Sequence, residues 1–279
     1  MPTSSHRKPS PFLGIGNILR LPNDSTVKTI VVALLLCLVC SVLVSTAAVM
    51  LKPFQLKNKS LDKKRNILQV AGLYRAGRNI EQLFQQVEPK VVNLATGEYA
   101  NEILPGEFDQ RQAAKDPLRN VHIPSDRDIA HIKQRAKYAT VYLVKEQEEI
   151  KYFILPVHGY GLWSTLYGFV VLHNDANTVY GLQFYEHAET PGLGGEVDNP
   201  AWRTKWSGKM IYDTKGTPRI EVVRGTVDSG KAESVYQVDG LAGATLTSRG
   251  VTHLLRYWLS QDGFGPYLQN VRNQATGTS

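Results

Sequence analysis

The sequence predicts an α+β protein: a single N-terminal transmembrane helix, then a largely antiparallel sheet flanked by helices. Three observations predict it. Ile30–Leu51 is an unbroken apolar run. Between Val91 and Gly240 come eight short runs rich in β-branched and aromatic residues, from "VVNLAT" to "SVYQVDG". Helical spacing then returns at Val251, Leu254, Leu255, Trp258 and Leu259. Strands that follow one another with few helices between them favour hairpin connections over a doubly wound parallel sheet.

Residues 1–29 carry Pro9, Pro11 and Pro22 and read as a short arm. Residues 30–51 contain no charge, proline or glycine. At ~1.5 Å per residue they cross a hydrocarbon core. The run is longer than the ~7–15 residues of a cleaved signal. Four basic residues precede it and six follow closely, so charge does not orient it. Its "CLVC" places Cys37 and Cys40 in lipid, as small apolar side chains rather than a redox pair.

Residues 52–90 predict two juxtamembrane helices. Ser60 caps the first, with Asp62 in its first turn, and Gly72 ends it. Asn79 starts the second, Gln82 takes the capping-box position, Ile80, Leu83, Phe84 and Val87 share one face, and Pro89 closes it. Residues 91–268 form the main domain, and 269–279 a tail. Within the domain "HNDANT" (173–178) and "KGTP" (215–218) read as hairpin loops, and a short helix is expected near Arg127–Ala136.

The net charge of +7 is local. Residues 1–65 hold ten Lys/Arg against two Asp, and the rest is close to neutral. The basicity brackets the apolar run and fits a membrane lipid surface, so no nucleic-acid partner is expected. "GTVDSGKA" (225–232) ends in Ala232 where a phosphate-binding P-loop needs Ser or Thr. "GYGLWS" and "GLGGEV" lack the last glycine of a dinucleotide fingerprint. The seven histidines are scattered, so no metal site is expected, and no nucleophile elbow supports a catalytic residue in this chain.

Three small-residue stretches remain: "GYGLWSTLYG" (159–168), "HAETPGLGG" (187–195) and "DGLAGATLTS" (239–248). Each alone reads as a turn, with Gly192, Gly194 and Gly195 supplying positive φ. Together they offer backbone N–H groups, hydroxyls and close approach. The third opens a helix, whose N-terminus attracts phosphate. That combination suits a phosphorylated, flat cofactor such as a flavin.

"DGLAGATLTSRGV" resembles the flavinylation motif of the FMN-binding domain family, and "HAETPGLGG" its companion. With the anchor and "LDKKRNILQVAGL", the chain resembles the C subunits of Na⁺-translocating NADH:quinone reductases from about the anchor to residue 268. Ala242 stands where the motif usually has Ser or Thr. The resemblance implies FMN carried as a phosphoester on Thr245, with Gly243 and Ala244 giving a separate flavin transferase room to approach. Leu246 and Thr247 complete the cofactor-binding turn. Trp163 and Leu193 are expected to pack on the ring faces, Thr190 to meet its edge, and Glu189 to brace the turn. It also implies a redox-driven translocase whose other subunits oxidise NADH and reduce ubiquinone, and a single-pass protein of the bacterial inner membrane. Residues 1–29 would then be cytoplasmic and the flavin domain periplasmic. A flavoprotein subunit of an Rnf-type ferredoxin:NAD complex and a non-catalytic membrane-anchored scaffold are the alternatives.

Overall fold

The structure, a computed structural model, describes residue 22 and residues 24–277. Most of the expected N-terminal arm lies outside the described residues. The chain divides between Ser60 and Leu61 into two units.

The first unit holds the apolar part of helix α1 (Thr26–Val70), which is 45 residues long. Among the described residues it is the one helix long and apolar enough to cross a membrane. Cys37 and Cys40 are unpaired and lie on its exposed surface. The helix runs through Ser60 without interruption, so the expected separate helix starting there is a continuation of α1. The change at residue 52 is one of polarity, not of backbone. No acid or glycine in 52–60 competes for the helical hydrogen bonds, and Pro53 is tolerated inside the helix. Gly72 does end it, at φ +70°, with Leu73 N donating to Leu68 O at 2.8 Å.

The second unit is built on a five-stranded sheet. Its strands are β1 (Val87–Asn93), β4 (Tyr138–Glu146), β5 (Glu149–Tyr160), β6 (Thr165–His173) and β7 (Val179–Glu186), in the order β1-β4-β5-β6-β7, every pair antiparallel. Two short strands between β1 and β4, β2 (Asn120–His122) and β3 (Gln134–Ala136), pair with each other. Both faces of the large sheet are covered. Phe153, Leu155 and Val157 of β5 enter one core with Leu254, Leu255 and Trp258, whereas Tyr152 and Ile154 enter a second with Ile67, Leu68 and Val70. The period-two alternation therefore has two apolar sides, which is why these strands read as nearly continuous apolar runs.

Asn79 caps the short helix α2 (Ile80–Phe84) by accepting from Glu81 N. Val87 belongs to β1 rather than to that helix, and Pro89 sits within β1. An edge strand tolerates proline because one side of its backbone has no ladder partner. No helix forms over Arg127–Ala136. The Asp128 carboxylate accepts from Ile132 N and Lys133 N at 2.9 and 2.8 Å, and so takes the amides a helix would need. The helix of this region is α3 (Gln110–Lys115), capped by Asp109.

The loop after β6 is held by Asp175, which accepts from Asn177 N and Thr178 N. It is the expected hairpin. The "KGTP" hairpin shrinks to a single bridge between Tyr212 and Pro218, because Asp213 bonds the amides of Lys215 and Thr217. β8 (Glu221–Val222) instead pairs in parallel with β9 (Gln237–Val238). After β7 come the short helix α4 (Pro200–Arg203), then α5 (Thr245–Trp258) and α6 (Gly265–Gly277). The last of these crosses the expected boundary at residue 268, so residues 269–277 are helical rather than a tail.

Candidate functional site

The three small-residue stretches meet at one end of the sheet. The first is the turn between β5 and β6, the second follows β7, and the third leads into α5. Gly250 of α5 lies against the end of β5: a Cβ there would stand 2.5 Å from Tyr160 O and 2.9 Å from Gly161 Cα. A Cβ on Gly243 would stand 2.9 Å from Leu193 Cδ2. The small residues are thus the condition for bringing these segments together.

One carboxylate joins them. Glu189 is 5 % exposed. Its Oε1 accepts from Leu162 N, Trp163 N and Ser164 N at 3.1, 3.0 and 3.3 Å, and its Oε2 accepts from Thr247 Oγ1 at 2.7 Å. Burial alone would raise its pKa. The Thr247 hydroxyl and the three backbone amides outweigh burial and hold it below the ordinary carboxylate range. Glu189 braces the turn, as expected, and also reaches the other two segments.

The hydroxyls of α5 divide by burial. Thr247 is buried on Glu189, and Ser248 is buried with its Oγ accepting from Leu241 N at 3.1 Å. Thr245, the first residue of the helix, is exposed, and its hydroxyl makes no hydrogen bond among the described residues. The N-cap residue is Ala244, whose side chain cannot cap. The N–H groups of the first turn are therefore available to an anion. Beside Thr245 is a cavity of about 320 Å³ lined by Arg224, Gly240, Leu241, Ser248 and Arg249. Arg224 was not legible as a site residue, because 21 positions separate it from Thr245 in the chain. Arg249 stood in the motif itself and its charge was the available signal.

Exposed apolar side chains stand on the segments that Glu189 joins. Trp163 is 66 % exposed, Leu246 50 % and Leu193 45 %. Each sits beside a residue that Glu189 holds or touches. Thr190 is exposed, and its carbonyl accepts from Leu193 N and Gly195 N, which shapes the loop. Of the three loop glycines expected at positive φ, only Gly192 has it, at +75°. Gly194 and Gly195 serve close approach instead: a Cβ on Gly194 would stand 2.6 Å from Thr247 Oγ1. Ala242 and Gly243 are exposed and Gly243 has φ +71°.

The residues present fit a phosphorylated flavin: a free hydroxyl at a helix start, two arginines lining the cavity beside it, and exposed apolar side chains on neighbouring segments. Among the described residues no cluster of His, Cys, Asp or Glu could hold a metal.

A family model described as an FMN-binding domain matches residues 161–260, which contain most of the three stretches. The C subunit of the Na⁺-translocating NADH-quinone reductase of Pseudomonas aeruginosa is 51 % identical over 253 residues, covering 89 % of this chain and 97 % of that protein. Its counterpart in Vibrio alginolyticus is 48 % identical over 252 residues, covering 90 % and 97 %. Among solved structures, the crystal structure of Shewanella oneidensis NqrC superposes with a TM-score of 0.70 at 34 % identity, covering 77 % of this chain and 99 % of that one. The crystal structure of the Parabacteroides distasonis C subunit gives 0.60 at 28 %, covering 78 % and 96 %.

Proposed function

The chain belongs to the family of C subunits of Na⁺-translocating NADH-quinone reductases, and from that premise we propose that it is the membrane-anchored electron-transfer subunit that carries FMN as a phosphoester on Thr245. The observation that carries this reading is the division of hydroxyls at the start of α5. Thr247 and Ser248 are buried and hydrogen-bonded, and Thr245 alone of the three is exposed without a partner among the described residues. Forming the ester would join Thr245 Oγ to the flavin phosphorus, break that phosphorus's bond to the leaving group of the activated flavin donor held by the transferase, and pass the hydroxyl proton to that leaving group. Arg224 and Arg249, which line the cavity beside Thr245, and the first-turn amides would offset the phosphate charge.

Bound there, FMN supplies the redox chemistry, and the protein supplies position and electrostatics. Trp163, Leu193 and Leu246 would offer apolar surface to the ring, and Thr190, in the loop of Leu193, would meet its edge. Gly243 and Ala244 keep the backbone beside Thr245 open to a flavin transferase. The covalent tether keeps a reduced cofactor from diffusing away.

Residues 30–51 anchor the chain in the inner membrane and meet lipid, residues 1–29 are cytoplasmic, and the flavin domain faces the periplasm. The anchor reading is supported by the length and apolarity of α1, and the orientation by the periplasmic action of flavin transferases in the resembling systems. Similarity along nearly the whole length of quinone-reductase subunits favours that complex over an Rnf-type one. The test is a denaturing gel of the chain co-expressed with a flavin transferase, viewed under ultraviolet light. A fluorescent band that disappears in Thr245→Ala supports the proposal. A dark wild-type band contradicts it.

A further inference from the structure

We propose that the buried carboxylate of Glu189 is a positioning residue of the flavin site that also governs how readily the flavin accepts electrons. It pins three loops beneath the ring site, and its unbalanced negative charge opposes each added electron. The inference rests on the flavin reading above.

The geometry carries it. Glu189 binds the backbone of the loop that presents Trp163, and the side chain of Thr247 in the first turn of α5. It packs against the β5–β6 turn and against its own loop: a Cβ on Gly161 would stand 2.6 Å from Oε1, and one on Gly194 2.7 Å from Oε2. Trp163, Leu193 and Leu246, the exposed apolar residues, are each a residue that the carboxylate binds or the neighbour of one that it touches. One group therefore sets the spacing of all three.

The charge is the second part. Among the described residues no ion pair is made to Glu189; Lys205 pairs with Asp239, and His187 hydrogen-bonds Asp198. Four donors compensate its desolvation but leave its net charge. A hub that needed only acceptors would be served by glutamine. The amide oxygen would take the three N–H groups, and the amide nitrogen would donate to Thr247 Oγ1, whose hydroxyl can act as acceptor. What the carboxylate adds is a fixed negative charge on a side chain that is itself little exposed, held between the segments that carry Trp163 and Leu193. Each electron delivered from NADH oxidation makes the flavin one charge more negative unless a proton follows. A nearby carboxylate disfavours that change.

The experiment compares wild type, Glu189→Gln and Glu189→Ala as full chains co-expressed with a flavin transferase. Covalent flavin is read by intact mass, and the midpoint potential by spectroelectrochemistry. Glu189→Gln is expected to be flavinylated like wild type, with its equilibrium constant for one-electron reduction raised about tenfold, a rise of ~59 mV. Glu189→Ala is expected to show altered Trp163 emission and an altered flavin spectrum, both restored in the Gln variant. A wild-type potential in a flavinylated Gln variant overturns the proposal and leaves the flavin reading standing. So does a folded Gln variant that is not flavinylated, because the exchange should preserve the geometry. Absence of flavin from wild type overturns the flavin reading itself. Hydrogen exchange on wild-type protein is the second measurement. The Leu162, Trp163 and Ser164 amides should exchange slowly, and free exchange at all three would overturn the positioning role even if neither variant folds.

Discussion

At the scale of single residues, the site separates attachment from redox tuning. The ester forms at Thr245, and the exposed apolar residues lie on other loops. Thr245→Ala is therefore expected to lose all covalent FMN while keeping its stability within about 0.5 kcal/mol of wild type, since an exposed side chain is changed. Intact-protein mass spectrometry and urea melts check the two halves. Thr245→Ser keeps a hydroxyl at the same place and should retain attachment. Trp163→Ala and Leu193→Ala should remain flavinylated but shift the midpoint potential upward, because water admitted to the ring site stabilises the charged reduced flavin. Unchanged potentials in both would place these residues outside the ring site. The meeting of the three stretches that carry Thr245, Gly243, Trp163 and Leu193 was legible because each stretch is a short motif. Arg224 was not, because it reaches the cavity only through the close approach of Gly240 to Val223 O. The bonds from Glu189 to residues 162–164 and to Thr247 likewise join positions far apart in the chain.

At the scale of elements, packing at the start of α5 is controlled by backbone contact. Gly250→Ala puts a methyl group against two backbone atoms of the β5 end, which cannot yield without moving the strand. Overpacking of this kind costs ~1–3 kcal/mol, more than the ~1 kcal/mol of helix propensity gained. A variant at least as stable as wild type in urea melts would show that α5 and β5 are less closely joined. The elements legible from sequence were those with a strong local period: the strands around Phe153 and Val170, and the helix over Val251–Trp258. The elements misread were decided by single polar side chains. Asp128 takes amides that a helix over 127–136 would use, and Asp213 folds "KGTP" into a turn without paired strands. The unbroken course of α1 past Ser60 was hidden because a serine followed by an acid resembles a helix start wherever it occurs.

At the scale of the whole molecule, α1 contributes chemically different surfaces along its length. Ile67, Leu68 and Val70 are buried in the second core of the sheet. Deleting residues 1–51 should leave a soluble, folded domain, whereas deleting residues 1–70 should uncover that core and cause aggregation. Equal behaviour of the two truncations in size-exclusion chromatography would contradict this. Acid stability is also set within the domain. His158 stacks on Tyr167 with ring centroids 5.3 Å apart and lies 4.9 Å from Trp258. Burial, with help from the Arg111 charge, pushes its pKa down to about 4. Its neutral form is favoured in the native state, so its contribution is complete above the unfolded value near 6.5 and is lost as the pH falls towards 4. His158→Phe, which keeps a ring but cannot titrate, should flatten the decline of melting temperature over that acid window. The same slope in both proteins would exclude His158 as its cause. The central claim concerns where the cofactor is held, and peptide mapping by tandem mass spectrometry of the full chain, co-expressed with a flavin transferase, tests it most directly. An FMN phosphoester on Thr245 is the predicted result, and an adduct on Thr247 or Ser248, or none in the peptide covering 239–251, would contradict it.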